Sequence, residues 1–559
     1  MSTKKNVFKV LVGLIVGALV LSACGSAATS TAVSAPSTQT PAAQAPAATQ
    51  PPVGATENPA ATQPPVLPTD DPAAPSGPQG SLTVALAGEP NSLYIPDTAD
   101  TIADTAASQL YDSLVYHDPA GNYYPELATS WEVAPDNVTW TFHLRQGVTF
   151  QNGDPFTADD VIATWKYGSD PKTSSWPEEY TIAKSVEKVD DYTVKVITDG
   201  PNALLLYAMF DFWDIIPGKY MDKVGVDAFQ QHPIGTGPFE FVDWVKGDHI
   251  TYKANPNYWW KGYPKVENLT FRFVPEDATR AAAIQSGEVD IVNRLTADEA
   301  NTLSTAPNVV VSHYLVPRVY YVMFNNMSTG KGQPTMDPKV RQAMNYAVDV
   351  DGIIKSLFDG YGQRAIGMIN TGQLGYGNVK PFPYDPVKAK QLLTEAGYPN
   401  GFTMSMNCPS DAYASIKEVC EAIVANLGAV GIKINLTMQE SGQFWDEMSK
   451  KTLPPLAVDS WSDASGETVQ RSEGLLSGGT YSTWLDPKIV DMLNNIQAEL
   501  DTSKRAALYQ AYNVYMQENP PLIYLYEPVT FEAIRSNVHD YTPQTNEMMY
   551  LYDTWVSNP

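Results

Sequence analysis

Residues 81 to 559 are predicted to adopt an α/β fold, and three local patterns support this prediction. Leu82, Val84 and Leu86 alternate with small or polar residues, which is the pattern of a strand with one buried face. Three Asp-Pro pairs combine a capping aspartate with a proline at the first helical position, which is typical of a helix start. These pairs lie at 337–338, 385–386 and 486–487.

The third pattern is a helix followed directly by a strand between residues 416 and 436. Four apolar residues at helical spacing precede Gly428, and they are Ile416, Cys420, Ile423 and Leu427. Alternating apolar residues follow at 432, 434 and 436. Helix-then-strand order indicates an α/β protein and not a helix bundle or a β-sandwich.

The first 24 residues have the pattern of a secretory signal that ends in a lipidation site. Lysines at positions 4, 5 and 9 precede an apolar run over 10–20, which is too short to span a bilayer. Leu-Ser-Ala-Cys at 21–24 resembles the bacterial lipoprotein box. We expect residues 1–23 to be a signal peptide and Cys24 to carry a lipid that anchors the protein outside the cell membrane. The alternative is an ordinary signal with an incidental cysteine.

Residues 24–80 are predicted to be a linker between the lipid and the folded part of the chain. Positions 26–80 consist largely of Ala, Pro, Thr, Ser and Gln, with twelve prolines and no Lys or Arg. Such a composition cannot bury a core and stays solvated. The residues from 81 onward are enough for two or three packed lobes.

Charge and motif content argue against several classes of function. The formal net charge is −26 at pH 7, so nucleic acid is not an expected partner. The sequence lacks a His-Glu-x-x-His zinc helix, a nucleophile elbow, and the glycine loops that bind phosphates or dinucleotides. Its six histidines are scattered without metal-ligand spacing. We therefore predict no enzyme activity, no catalytic residue, no metal and no cofactor.

Two cysteines lie in the predicted helix-and-strand region. Cys408 and Cys420 can form a disulfide in an oxidising exterior, or they can be two buried free thiols. The sequence leaves both possibilities open.

Nine short motifs follow one another in order along the folded part. They are LYDSLV at 110–115, PELATSW at 125–131, WTFHLR at 140–145, FQNG at 150–153, IGTGPF at 234–239, NPNYW at 255–259, IQSGEVD at 284–290, VRQA at 340–343 and LLTEAGY at 392–398. Together they resemble the extracellular solute-binding proteins of ABC importers, in the family (family 5) of the dipeptide- and oligopeptide-binding proteins. The resemblance runs from about residue 81 to near the C-terminus.

The resemblance implies a periplasmic-binding-protein-like clamp with two lobes, an additional third domain and a discontinuous first lobe. Lobe I would comprise 81–114, 234–316 and 530–559, the extra domain 115–233, and lobe II 317–529. It also implies a monomer that delivers its ligand to membrane permease subunits. Oligopeptides or dipeptides are the expected ligands, and an oligosaccharide, an opine or a metal chelate are alternatives. An exported hydrolase and a sensory or chaperone-like lipoprotein are the competing hypotheses.

Peptide binders of this family use a carboxylate after a tryptophan to bind the ligand's amino terminus. Here the corresponding residues are Trp461, Ser462 and Asp463, although the spacing is one residue shorter and no Asp-Pro follows. The alternative interpretation of Asp463 is a carboxylate that stabilises a Ser/Gly-rich turn.

Further candidates for the cleft wall come from both lobes and the extra domain. Glu89 and Asn91 follow the first predicted strand, at the edge where family members offer backbone to the ligand. The others are Arg318, Tyr320, Tyr321, Asn325, Trp176 and Tyr526. The tyrosines at 320 and 321 can also be the solvent-facing side chains of a half-buried strand.

Overall fold

The structure, a computed structural model, describes residues 75–98, 100–118, 122–410, 412–463 and 465–557. The predicted signal peptide, the lipidation site at Cys24 and most of the predicted linker lie outside these residues. Among the helices of the described part, none is both long enough and apolar enough to cross a membrane.

The strands of the described residues are numbered along the chain. They are β1 (Ser81–Leu86), β2 (Val115–His117), β3 (Tyr123–Pro125), β4 (Ala128–Val133), β5 (Thr139–Leu144), β6 (Ala183–Asp190), β7 (Thr193–Thr198), β8 (Phe239–Val245), β9 (His249–Ala254), β10 (Asn268–Phe273), β11 (Ile291–Val292), β12 (Val309–Leu315), β13 (Arg318–Phe324), β14 (Gln363–Arg364), β15 (Phe402–Pro409), β16 (Ile432–Gln439), β17 (Leu456–Ser462), β18 (Leu522–Tyr524), β19 (Tyr526–Glu527), β20 (Val529–Arg535), β21 (Val538–His539) and β22 (Trp555–Val556).

The α-helices are numbered in the same way. They are α1 (Thr101–Ala107), α2 (Ala158–Ser169), α3 (Pro177–Thr181), α4 (Leu205–Asp211), α5 (Gly218–Val224), α6 (Val226–Gln231), α7 (Asp277–Ser286), α8 (Ala297–Leu303), α9 (Pro338–Ala347), α10 (Val350–Leu357), α11 (Pro386–Glu395), α12 (Ile416–Ala429), α13 (Ser441–Ser449), α14 (Val469–Leu476), α15 (Pro487–Ala498) and α16 (Thr502–Glu518). Short 3-10 helices span Ile95–Asp97 and Pro334–Met336.

The first lobe is built on a seven-stranded sheet of order β12-β20-β11-β1-β10-β9-β8. Strand β1 lies at its centre, parallel to β10 and β11, and Leu82, Val84 and Leu86 are fully buried, as the alternation predicts. The strands come from the start, the middle and the end of the described chain. The first lobe is therefore discontinuous, while its residue borders remain a prediction.

The additional domain lies between the first two pieces of that sheet in sequence. It contains the four-stranded antiparallel sheet β4-β5-β7-β6 and the helix α2. Thr157 and Asp160 form a capping box at the start of α2. A core of its own surrounds Phe142, Trp213 and Val194.

The second lobe is built on the five-stranded sheet β16-β15-β17-β13-β18. The aspartates of all three Asp-Pro pairs accept a backbone N–H of the helix that follows, at Lys339, Lys388 and Lys488. The predicted helix over 416–427 and strand from 432 are α12 and β16. Cys408 on β15 and Cys420 on α12 form a disulfide, so the free-thiol alternative does not hold.

The chain passes between the two lobes at two neighbouring places. Val316 and Pro317 join β12 to β13, and Pro528 joins β19 to β20. The Val316 amide donates a hydrogen bond of 3.1 Å to the Pro528 carbonyl. The two connections are thus held side by side between the sheets, which is the position of a hinge.

Candidate ligand-binding cleft

A cleft of about 1200 Å³ is lined by residues of both lobes and the additional domain. The first lobe contributes residues of 98–104 and 546–548, and the additional domain contributes residues of 175–182 and 202–212. The second lobe contributes the end of β17, one face of α14 and the loop that follows it. Val316 and Pro317 of the hinge also line the space.

The second-lobe wall is made by α14 and the strand end before it. Trp461, Ser462 and Asp463 lie at the end of β17 and all line the cleft. On α14 the lining residues are Gln470, Glu473, Gly474 and Ser477. Their spacing of three, four and seven residues places them on one face of the helix.

Asp463 stabilises the loop between β17 and α14. The residue is 2 % exposed, and its Oδ1 accepts hydrogen bonds from the amide (3.2 Å) and hydroxyl (2.6 Å) of Ser465. Its Oδ2 accepts a hydrogen bond of 3.1 Å from the Arg471 amide. A carboxylate oxygen can accept two hydrogen bonds, so Oδ2 retains capacity for one more donor. The turn role considered for Asp463 is therefore present, and a ligand role is compatible with it.

Arg471 lies behind this wall and joins its parts. The side chain is fully buried, and its guanidinium donates to six acceptors. These are the carbonyls of Pro317, Met368 and Trp461, the side-chain oxygens of Asn370 and Gln373, and the Thr468 hydroxyl. Burial lowers the pKa of Arg471, and the nearby Asp463 charge opposes this change. One side chain thus connects the hinge, β17 and α14.

The indole of Trp461 packs on the helix at Gly474. A Cβ atom added to Gly474 would lie 2.6 Å from the Trp461 Cη2 atom, so any larger residue would displace the ring. The ring also contacts Tyr481 edge-to-face, with a centroid distance of 6.0 Å. Trp461 therefore owes its position in the cleft to the absence of a side chain at 474.

The opposite wall belongs to the additional domain and to the first lobe. Trp176 lines the cleft, and its Nε1 donates a 2.7 Å hydrogen bond to the Thr98 carbonyl. Glu179 on α3 accepts a hydrogen bond from Gln470 on α14, which crosses the cleft. Asp211 at the end of α4 accepts a 2.8 Å hydrogen bond from the Tyr207 hydroxyl.

The cleft is strongly acidic. Among its lining residues in the described chain there are eight carboxylates and neither Lys nor Arg. The carboxylates are Asp100, Asp104, Glu178, Glu179, Asp211, Asp463, Glu473 and Glu547. Burial raises the pKa of Glu179 to about 8, that of Glu473 to about 7 and that of Asp211 to about 6. Burial also raises the pKa values of Asp104 and Asp463.

Comparison with known protein families identifies the family of this chain. The sequence profile described as "Bacterial extracellular solute-binding proteins, family 5 Middle" matches residues 122–483, which is more than half of the chain. The chain belongs to this family. As a family 5 solute-binding protein it is the substrate-binding component of an ABC importer, and it acts outside the cytoplasm.

Individual family 5 proteins are similar over most of their length. Heme-binding protein A of Haemophilus influenzae is 31% identical over 477 residues, which are 79% of this chain and 86% of the relative. Glutathione-binding protein GsiB of Escherichia coli strain K12 is 30% identical over 462 residues, which are 79% and 88% of the two chains. The solved structure of DppA from Helicobacter pylori, in complex with peptide STSA, has a TM-score of 0.73 and 26% identity. The structural match covers 86% of this chain and 99% of the DppA chain. The predicted two-lobed clamp with an additional domain is thus confirmed as the fold.

The structure brings four of the predicted site residues together in the cleft. They are Trp176, Trp461, Ser462 and Asp463. Among the described residues no group of three or more His, Cys, Asp or Glu side chains is arranged to hold a metal ion.

The other predicted site residues are not among those that line this cleft. Glu89 accepts hydrogen bonds from Trp244 Nε1 and the Gly247 amide, and Asn91 donates to the Asp97 carbonyl. The Asn325 Oδ1 atom accepts hydrogen bonds from the backbone amides of Met327 and Ser328 in the turn that follows. A ligand contact by any of these three residues remains a prediction.

The predicted residues on β13 and β19 lie in the second-lobe interior or near it. Tyr320 stacks on Tyr526 with ring centroids 4.6 Å apart, and Tyr321 is fully buried. The tyrosines of β13 therefore do not face solvent, because core residues of the second lobe pack on the sheet at this strand. Arg318 donates a 2.9 Å hydrogen bond to the Ser460 hydroxyl. Their role in binding stays a prediction.

Several lining residues were not predicted from the sequence. The face of α14 has a readable signal, because Gln470, Glu473 and Ser477 repeat at helical spacing on one side. No such signal exists for Asp104, Glu179 and Asp211, which lie on three different helices.

Replacing Gly474 by alanine is expected to alter ligand affinity while leaving stability almost unchanged. Alanine favours a helix over glycine by about 1 kcal/mol, which offsets part of the strain at Trp461. The displaced indole should change the intrinsic fluorescence and weaken ligand binding several-fold. Gly428→Ala on α12 is the matched control, because a Cβ there meets nothing within 4 Å. Equal ligand affinity in both variants would contradict the expected role of Gly474.

Two half-buried carboxyls of the cleft predict a pH dependence of the ligand-free protein. Glu179 and Glu473 ionise near their ordinary pKa of 4.5 when unfolded, but at about 8 and about 7 when folded. The folded state therefore binds more protons between these values, and its stability falls as pH rises through them. Thermal melts compare the wild type with the double variant Glu179→Gln/Glu473→Gln. The difference in stability, wild type minus variant, should decrease from pH 5 to pH 8. Glu421→Gln, at an exposed position of α12, should show no such trend.

Proposed function

We propose that this protein captures oligopeptides or dipeptides in the cleft, releases them chemically intact and passes them to an ABC permease. The observation that carries the proposal is the cleft itself, with about 1200 Å³ between walls from three parts of the fold. Pockets for drug-sized ligands measure about 300–1000 Å³. A space above that range suits a short chain with several side chains better than a single amino acid or a metal ion.

The chemistry of the second-lobe wall supports the same proposal. Asp463 lies beside Trp461 in the order that the family's peptide binders use for the ligand's amino terminus, and its Oδ2 can accept one further donor. The indole of Trp461 and the aromatic rings of Trp176 and Tyr481 supply apolar surface for side chains. A peptide-bound neighbour, the Helicobacter pylori DppA, has the same fold.

A non-peptide solute is the alternative cargo, since the relatives include a heme-binding protein. Mass spectrometry of whatever the purified protein releases on gentle denaturation separates the two. We expect peptides with unmodified masses, followed by saturable fluorescence quenching when they are added back. Release of a sugar, a heme or a metal chelate, with no response to a peptide library, would contradict the peptide proposal. Turnover of the added ligand would contradict a pure binding function.

We also propose that the protein is a monomer anchored to the membrane by a lipid on Cys24. Cys24→Ser should release it into the soluble fraction, because a single substitution removes the acyl attachment site. Ligand affinity should not change, since the anchor precedes the predicted linker over 24–80. Membrane fractionation and a titration of both forms test this. Retention of the variant in the membrane fraction would contradict lipidation at Cys24.

A further inference from the structure

A small cavity of about 50 Å³ lies directly behind the cleft wall. Asp104, Asp211 and Met548 line both the cavity and the cleft, so the two spaces adjoin at these residues. The other lining residues belong to the first lobe and the additional domain. A water position needs about 10–15 Å³, so the cavity holds roughly three to five water-sized groups.

Five carboxylates line this cavity, and two of them lie near the charge of Arg145. Asp112 accepts hydrogen bonds from Thr236 (2.7 Å), Tyr258 (2.9 Å) and Trp259 (2.9 Å), while Glu126 accepts the Ser113 amide at 3.1 Å. Arg145 stacks over Trp259 at 4.3 Å and lowers the pKa values of Asp112 and Glu126, against the larger effect of burial. Asp112 and Glu126 thus have donors or a cation within the protein.

The other three carboxylates are Asp104, Asp211 and Asp214. Asp214 is 9 % exposed, and its Oδ1 accepts a 2.9 Å hydrogen bond from the Ser113 hydroxyl. Its Oδ2 has no hydrogen-bond partner among the described residues, and Asp214 lines the cavity. No Lys or Arg of the described chain lines either space. The charged form of a buried carboxyl is unfavourable without a cation, so a cationic group of a ligand would stabilise it.

We infer that the ligand carries a basic side chain, of lysine or arginine, whose charged end enters this cavity between Asp104, Asp211 and Asp214. A guanidinium has four heavy atoms and an ammonium one, and both fit the available space. The remaining carboxylates of the cleft, apart from Glu547, which pairs with Arg294 at 3.1 Å, would favour further positive charge on the same ligand. This inference rests on the proposed peptide function and specifies its cargo as cationic peptides.

Matched peptides test the charge requirement without any mutation. Tetrapeptides with arginine at each position in turn are titrated into the wild-type protein and compared with citrulline at the same position, which has nearly the same shape and no charge. We expect at least one arginine peptide to bind about 30-fold or more tightly than its citrulline partner, as for a desolvated charge pair. Spermidine serves as a cation without a peptide backbone.

Variants of two carboxylates then test where the charged end of the ligand side chain binds. Asp214→Asn and Asp211→Asn should each reduce the preference for arginine over citrulline about tenfold or more. Asp243→Asn, at an exposed position of β8, makes the same change in net charge away from the cavity and should retain the preference. Thermal melts verify folding, and the wild-type comparison stands even if a variant does not fold.

The outcomes separate this inference from the proposed function. Equal affinity for arginine and citrulline peptides would overturn the cationic cargo and leave peptide binding intact. Binding of spermidine that depends on Asp214, with no binding of any peptide, would support the charged cavity and overturn the peptide function. No binding of either class would overturn both.

Discussion

Replacing Arg471 by methionine is expected to lower the free energy of unfolding by about 3–5 kcal/mol, as when one partner of a buried ionic group is removed. The six acceptors of its guanidinium would lose their donor, and Asp463 would keep a buried charge without the nearby cation. Arg471→Lys should be nearly as damaging. A lysine has three donors on one atom and cannot reach acceptors on both sides of the fork. Urea denaturation of the purified protein measures both effects.

A surface cation provides the control for Arg471. Lys339 is half exposed and pairs with Glu395 at 3.0 Å, so Lys339→Met should change stability by about 1 kcal/mol or less. An Arg471→Lys protein that unfolds at the wild-type urea concentration would show that the six hydrogen bonds do not stabilise the second-lobe wall.

Asp463→Ala is expected to weaken a ligand with a free amino terminus by about 2–4 kcal/mol, because a buried ammonium would lose its carboxylate. The same substitution also removes the acceptor of Ser465 and of the Arg471 amide, so a loss of affinity alone does not separate the two roles. An N-acetylated form of the same peptide separates them, since it has no ammonium to lose. Calorimetric titration of both peptides into both proteins gives the comparison.

A ligand role for Asp463 requires that Asp463→Ala weakens the acetylated peptide clearly less than the peptide with the free amino terminus. If both peptides lose the same affinity, Asp463 acts only by holding the loop between β17 and α14. Asp463→Asn adds a second comparison, because an amide keeps the shape of the side chain and can still accept from Ser465.

Elements that depend on neighbours in sequence were predictable. Asp337, Asp385 and Asp486 cap their helices because the acceptor and the amides it bonds are two or three residues apart. The strand at Leu82 to Leu86 follows from alternation alone. The two roles considered for Asp463 were both readable, since the turn partner Ser465 is two residues away. The disulfide was left open, because the distance between β15 and α12 depends on how they pack.

The burial of Arg471 and its hydrogen-bond partners could not be predicted from the sequence. Arginine is mostly exposed in proteins, so its burial is unexpected. Its acceptors lie at Pro317, Met368 and Trp461, more than a hundred residues away in two cases, and only the folded chain brings them to one point. The sequence allowed Tyr320 to be a cleft-wall residue or a solvent-facing side chain, and its stacking on Tyr526 depends on β19, which lies far along the chain.

The sequence by itself determined the family, the α/β elements and the helix starts, because these depend on motif order, periodicity and capping over a few residues. Only the tertiary structure decided the charge of the cleft. The chain has 62 acidic residues, and spacing does not tell which of them share a cavity. Asp104, Glu179, Asp211 and Glu473 lie far apart along the chain, and they meet because the lobes and the additional domain fold around one space from which water is partly excluded.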